Sequence, residues 1–192
     1  QRVIAGIRRE IERMTGLVAS LLELARLEAG LTPFEPVALD LGTLVRKVMG
    51  ELGMRAQSKD LHLQEALPEK LPPVQADPTQ IERALMNLLE NAIRFTPGGG
   101  AVSVGGAAQA GRVSLWVQDS GPGIPQEALP HIFDRFYQAE PARTANRSGS
   151  GLGLTIPREI MKRHGGEIHV QSEIGQGARF TISFPCLPHS PH

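Results

Sequence analysis

NLLENAIRFT, Asn87 to Thr96, closes a stretch beginning at Asp77 that reads as one amphipathic helix. Asn87 and Asn91 stand four apart and Arg94 three further on. At about 100° per residue these side chains fall within roughly 60° of one another along one helix edge. Beside them Ile81, Leu85, Leu88, Ala92 and Phe95 recur at spacings of 4, 3, 4 and 3 and make a core stripe. Two amides and a guanidinium at the margin of a buried face suit the wall of a pocket for something polar and anionic. The plainer reading, solvated surface, is the commoner fate of such residues. Asp77 can cap the helix, Pro78 suits its first turn, and Gln80 completes a capping-box-like pattern. Pro97 and the glycines Gly98 to Gly100 end it.

Upstream, Gln1 to about Ala29 has no proline, and Ile4, Ile7, Ile11, Met14, Val18, Leu21 and Ala25 recur at 3, 4, 3, 4, 3 and 4. That is the seam of a coiled coil or helix bundle. Leu17, Leu22 and Leu24 widen the face toward a bundle. Such a helix needs a partner: another helix of a longer protein, a second copy of the chain, or its own domain. Gly30 and Pro33 break it, and residues 31–36 read as a linker or hinge. Val37–Leu39 follows as a short strand, Asp40 caps a helix over Leu41–Ser58, and strands are expected around Leu61–Glu65 and Val74–Ala76.

Downstream come strands Ala101–Ala107 and Val113–Asp119, joined by a hairpin turn over Ala108–Gly111. A helix to about His164 follows the glycine-rich run at 148–154. Strands Ile168–Ser172 and Gly177–Phe184 close the domain, and residues 186–192 read as a frayed tail. Strands and helices are mixed rather than strictly alternating, which predicts an α/β sandwich with one mixed sheet.

Composition excludes several classes. Lys+Arg and Asp+Glu are both 20 in 192 residues, so no global field argues for nucleic acid. One cysteine rules out an internal disulfide framework and fits a reducing compartment. No apolar run approaches the roughly eighteen residues of a membrane span, and nothing resembles a signal peptide. The start at Gln1, directly in a helical pattern, reads as a piece cut from something longer.

Two further motifs carry chemistry. Asp119-Ser-Gly121-Pro-Gly123 places a carboxylate at a strand end, followed by glycines that let a flat ligand approach the backbone. An ordinary Asp-Ser-Gly turn is the alternative. Gly149, Gly151 and Gly153 alternate just before a helix, where free N–H groups can wrap phosphate oxygens. No lysine follows as in a P-loop, and no strand precedes as in a dinucleotide-binding turn.

The order of amide helix, Asp-x-Gly-x-Gly, Phe-x-x-Phe and Gly-x-Gly-x-Gly resembles the ATP-binding catalytic domain of sensor histidine kinases, in the gyrase/Hsp90/histidine kinase/MutL superfamily. The resemblance covers about Pro36 to Pro185. The first helix, ending LLELARLEAG, is similar to the second helix of that family's dimerisation and phosphotransfer domain. It implies a two-layer sandwich with helices on one face of the sheet (a Bergerat-type fold) over residues 37–185.

The resemblance also implies roles. Asn87 and Asn91 match the asparagine box, with Asn91 the Mg²⁺ ligand and Arg94 the phosphate contact. Phe95 stands where an aromatic ring packs on adenine, and Asp119 matches the acceptor for the adenine amino group. Gly121, Gly123 and Ile124 would shape that pocket. Phe133 and Phe136 match a hydrophobic hinge, Gln138–Ser148 a mobile lid, and Gly149, Gly151, Leu152 and Gly153 the second glycine box. The hydrolytic branch carries a glutamate four residues before the Mg²⁺ asparagine; here that residue is Asn87, and Glu90 lies further round the helix toward solvent. The site therefore reads as holding ATP and Mg²⁺ for an external nucleophile. The implied partners are a histidine-bearing helix outside this chain, a response-regulator receiver domain and a second copy of the full protein, in a cytoplasmic setting with no nucleic acid and no direct membrane contact.

Two departures stand out. None of the six histidines has the phosphoacceptor context, and Pro157 sits in the helix after the glycines, tolerable in its first turn and otherwise a kink. His164, in RHGGEI, reads as a structural helix end. Two other classes stay open: an ATPase that couples hydrolysis to a conformational cycle, and a scaffold without enzymatic activity.

Overall fold

The computed structural model of the chain describes residues 2–138 and 151–186. In order, α1 (Arg2–Glu28), β1 (Val37–Leu39), α2 (Leu41–Ser58), β2 (His62–Ala66), β3 (Val74–Ala76), α3 (Pro78–Phe95), β4 (Ala101–Gln109), β5 (Arg112–Asp119), α4 (Thr155–Arg163), β6 (Glu167–Glu173) and β7 (Gly177–Pro185) build two layers. β1 and β3 form a small antiparallel pair, and the main sheet runs β2-β4-β5-β7-β6. β2 and β4 are parallel, joined by a crossover through α3, and the remaining pairs are antiparallel. The mixed sheet is the one expected.

Alternation decides which face is covered. Val113, Leu115 and Val117 of β5 lie opposite Phe184, Ile182 and Phe180 of β7, and all six are buried among apolar residues of α2, α3 and α4. The residues between them face the other way, where the Arg179 guanidinium stacks 4.0 Å over Trp116. The helices thus lie on one face, and a strand ending at Asp119 carries its carboxylate inward. The hairpin is tighter than expected: only Ala110 (φ 49°) and Gly111 (φ 75°) form the loop. That left-handed pair matches the twist of two directly joined strands and extends each by a residue or two.

Helix α3 starts as its sequence dictates. Asp77 Oδ1 accepts from Gln80 N at 3.1 Å, and Pro78 occupies the first turn. The capping box does not close, because Gln80 turns its amide to Pro33 O at 2.6 Å instead. The expected linker is pinned accordingly. Arg163 Nη2 donates to Thr32 O at 2.9 Å, Glu35 N donates to Asp77 Oδ2 at 2.9 Å, and Phe34 meets the His164 ring edge-on at 4.9 Å. His164 is structural: Nδ1 donates to Ile160 O and Nε2 accepts from Asp77 N at 3.0 Å. Burial holds its pKa below the ordinary value, which keeps the ring neutral for both bonds.

Helix α1 has two distinct parts. Leu24 and Leu27 are buried against the domain, and Glu23 makes a forked pair with Arg83 at 2.8 and 2.7 Å. Glu28 pairs with Arg135. Leu24, read as bundle face, therefore packs within the chain. The seam further back stays open: Ile11 is 58% exposed, Met14 58% and Val18 66%. Arg83→Ala is expected to lower stability by no more than about 1 kcal/mol, because an exposed pair is worth little. A urea midpoint shifted by more than this would mark the pair as a structural tie. No helix among the described residues is long and apolar enough to cross a membrane.

Candidate nucleotide site

Asp119 is 8% exposed. Its Oδ1 accepts from Gly121 N at 2.8 Å and from Ala178 N at 3.3 Å. Both bonds fall on one oxygen, and Oδ2 accepts none among the described residues. Burial pushes the carboxyl above the usual aspartate value, against the opposing pull of the two amides. The loop beyond it is held closely. A Cβ at Gly121 would meet Asp119 Oδ1 at 2.7 Å and Phe95 O at 3.2 Å, so this loop touches the end of α3. Gly123 (φ 75°) is required by the protein itself, since a Cβ there would overlap the Glu173 carbonyl. Ser172 Oγ completes the brace by accepting from Ile124 N at 2.8 Å and donating to Gly177 O at 2.6 Å.

Along α3 the two asparagines differ. Asn87 Nδ2 donates back to Arg83 O at 2.9 Å. Asn91 is half-buried, and its side chain makes no hydrogen bond among the described residues. Arg94 lies over the Phe95 ring, 4.7 Å from its centre, so one ring face is already covered. Burial, and then Arg55, disfavour the Arg94 charge, a tension that a bound anion would relieve. Glu90 accepts from Arg55 Nη1 at 2.7 Å, on the side of α3 that faces α2. It is engaged there.

The third neighbourhood joins the phenylalanines to α4. Phe133 is half-buried and sits edge-on to Phe180, centres 6.4 Å apart. Thr155 Oγ1 donates to Phe133 O at 3.1 Å. Phe136, the other residue of the expected hydrophobic hinge, has φ 62° and a ring 57% exposed. Its packing runs through the main chain, with Phe136 N donating to Gly151 O at 2.9 Å. A Cβ at Gly151 (φ 68°) would come within 2.6 Å of Phe136 Cα. Leu152 is fully buried. Around Gly153 nothing lies within 4 Å of an added Cβ, so the fold itself does not demand glycine there. Pro157 is the third residue of α4, where an absent N–H costs nothing, so no kink is needed. Gly149 and all of the expected lid beyond Gln138 lie outside the described residues, as does the tail from 187.

No group of His, Cys, Asp and Glu that could hold a metal exists among the described residues. An open cleft of about 350 Å³ borders this site, lined by Ser172, Gly177 and Ala178 together with Gln118, Gln171 and Arg179. Sequence reasoning missed Ala178, Ser172 and Gly177, which buttress Asp119 from β6 and β7; their only signal was the Gly175-Gln-Gly177 turn.

Comparison with known proteins agrees with this geometry. The model of the histidine kinase-, DNA gyrase B- and HSP90-like ATPase matches residues 76–188. The alginate biosynthesis sensor protein KinB of Pseudomonas aeruginosa is 36% identical over 183 residues, covering 95% of this chain and 30% of KinB. Full-length ShkA in complex with AMPPNP superposes with a TM-score of 0.81 at 33% identity, covering 96% of this chain and 38% of ShkA. Histidine kinase ThkA, in complex with the response regulator protein TrrA, gives a TM-score of 0.78 at 26% identity, covering 100% of this chain and 52% of that one. The chain spans less than half the length of the curated relatives it matches.

Proposed function

Because the chain belongs to the histidine kinase-, DNA gyrase B- and HSP90-like ATPase family, we propose that it is the ATP-binding catalytic part of a two-component sensor histidine kinase. It holds Mg-ATP for transfer of the γ-phosphoryl group to a histidine outside residues 1–192, and from there to a response-regulator aspartate. The observation that carries this reading is the buried Asp119 carboxylate, with Oδ1 committed to two backbone amides and Oδ2 left for an amino group.

Each residue then has a task. Asp119 accepts from the adenine amino group, and Gly121, Gly123 and Ile124 hold the wall beside it. Phe95 offers the ring face that Arg94 leaves open. Arg94 meets the phosphates, while Gly151, Leu152 and Gly153 present the backbone ahead of α4. Phe133 anchors that segment to the core, and Phe136 holds it through its backbone. The donor set fits magnesium: Asn91 supplies one neutral oxygen, no carboxylate cluster competes among the described residues, and a hard ion of this size keeps waters and phosphate oxygens as its other ligands. When bound, the ion offsets phosphate charge. Asn87 cannot take a proton from water, and Arg55 occupies Glu90; both favour transfer over hydrolysis.

Residues 1–30 read as the second helix of a dimerisation bundle, 31–36 as the connection and 37–185 as the ATP-binding domain. The exposed seam on α1 supports a homodimer of the full protein. ThkA, solved with TrrA, supports a response regulator as partner.

The test supplies a separately made helix pair bearing the acceptor histidine, with γ-labelled ATP and magnesium. Label is expected on the added histidine, and little phosphate is expected without it. Equal phosphate release in the absence of acceptor would replace this reading with an ATPase. Asn91→Ala is expected to raise the magnesium concentration for half-maximal transfer about tenfold, the order of one bond to a charged group. An unchanged magnesium dependence would remove Asn91 from the metal.

A further inference from the structure

Helices α2 and α3 run parallel and in step. Lys47 pairs with Glu82 and Arg55 with Glu90, and Lys59 continues the row to the end of α3. Lys59 closes α2 with its backbone, donating to Ala56 O and Gln57 O. Its side chain does something different. Nζ donates to Ile93 O at 2.8 Å and to Arg94 O at 2.6 Å. The last carbonyls of a helix have no partner of their own and carry about half a negative charge between them.

These carbonyls lie at the proposed phosphate wall. Arg94 provides one of them, and the next carbonyl along, of Phe95, abuts Gly121. The surrounding turns are tied to the same place: Asp60 is left-handed (φ 56°), Gly99 N donates to Asp60 O at 2.8 Å, and His62 N donates to Gly100 O at 2.9 Å. An uncompensated carboxyl end here would repel a polyanion and let the last turn of α3 fray.

We propose that Lys59 is a positioning residue of the nucleotide site, its ammonium capping the carboxyl end of α3 so that Arg94 and Phe95 are held in register and the helix's negative end is offset beside the phosphates. This rests on the nucleotide reading above. Lys59 touches no phosphate; it acts through the α3 backbone. A role confined to folding would weaken every ligand of the site alike. A positioning role acts on the phosphates more than on the base.

The experiment measures binding of magnesium-AMPPNP to the whole chain by calorimetry, and of adenosine by displacement of a fluorescent nucleotide. Lys59→Met is expected to weaken AMPPNP about tenfold, in line with losing bonds from a charged donor, with a clearly smaller change for adenosine. Lys59→Arg is expected to restore most of the affinity, and Lys59→Gln, which can donate without charge, to fall between. The glutamine variant carries the test should the methionine variant not fold. Equal weakening of AMPPNP and adenosine, or a lower melting temperature with both affinities unchanged, would make Lys59 a structural cap and overturn the proposal. If the unsubstituted chain binds no AMPPNP, the nucleotide reading falls and this role with it. If it binds and Lys59→Met binds as well, only the role of Lys59 falls.

Discussion

Asp119→Asn is expected to leave the fold standing and to weaken AMPPNP binding by about 2 to 3 kcal/mol, or roughly 30- to 150-fold. The asymmetry comes from the two carboxylate oxygens. An asparagine oxygen at the Oδ1 position still accepts from Gly121 N and Ala178 N, so no buried amide is orphaned. At the Oδ2 position an NH₂ group would face the amino group of adenine, donor against donor. Asp119→Ala would confuse the result, because two buried N–H groups would lose their acceptor and stability would fall as well. Calorimetry beside thermal melting separates the terms. A Kd within threefold of the native value would show that Asp119 only braces its own loop.

The same carboxyl has a pH signature. Burial raises its folded-state pKa above the ordinary aspartate value of 3.8. Between these two values the folded chain keeps a proton that the unfolded chain has lost, so stability declines as pH rises through that window and is flat above it. Nucleotide binding runs the other way, since a charged acceptor is the stronger one. Affinity is therefore expected to fall on acidification, with a midpoint above that of a free aspartate, and the part of the dependence owed to this carboxyl is expected to vanish in Asp119→Asn.

What the sequence revealed was local. Asp77, Pro78 and the spacing of Ile81, Leu85 and Leu88 act within a few residues of one another, so α3 and its polar edge were legible. The alternation from Val113 to Asp119 likewise placed a carboxylate at the end of an apolar row. The misreadings share a different cause. Gln80 has the spacing of a capping box, yet its amide goes to Pro33, a residue 47 positions away. Leu24 fits a bundle face by periodicity and is buried against its own domain instead. Lys59 gave no sign at all, because nothing in its neighbourhood names a helix end 34 residues on. Pattern reports which residues share a face; it does not report what a long side chain reaches.

Gly177 shows how much of the site rested on such unseen contacts, and Gly177→Ala is expected to cost at least about 3 kcal/mol, combining backbone strain with overpacking. At φ 80° the position suits glycine, and an added Cβ would overlap the Asp119 carbonyl oxygen and lie 2.8 Å from its carbon. Both neighbours are backbone, so neither can rotate aside. Gly175→Ala supplies the control: φ is 82°, but nothing lies within 4 Å of the added atom, and about 1 kcal/mol of strain is all that is expected. For a chain of this size the two differ by roughly 4–8 °C in melting temperature. The displacement also falls on the functional group, because Ala178 N, one residue on, donates to Asp119 Oδ1. Gly177→Ala should therefore weaken AMPPNP even at temperatures where it is folded, while Gly175→Ala should not. Equal melting temperatures and equal affinities for the two variants would mean that the turn between β6 and β7 yields freely, and that Asp119 is held by Gly121 alone.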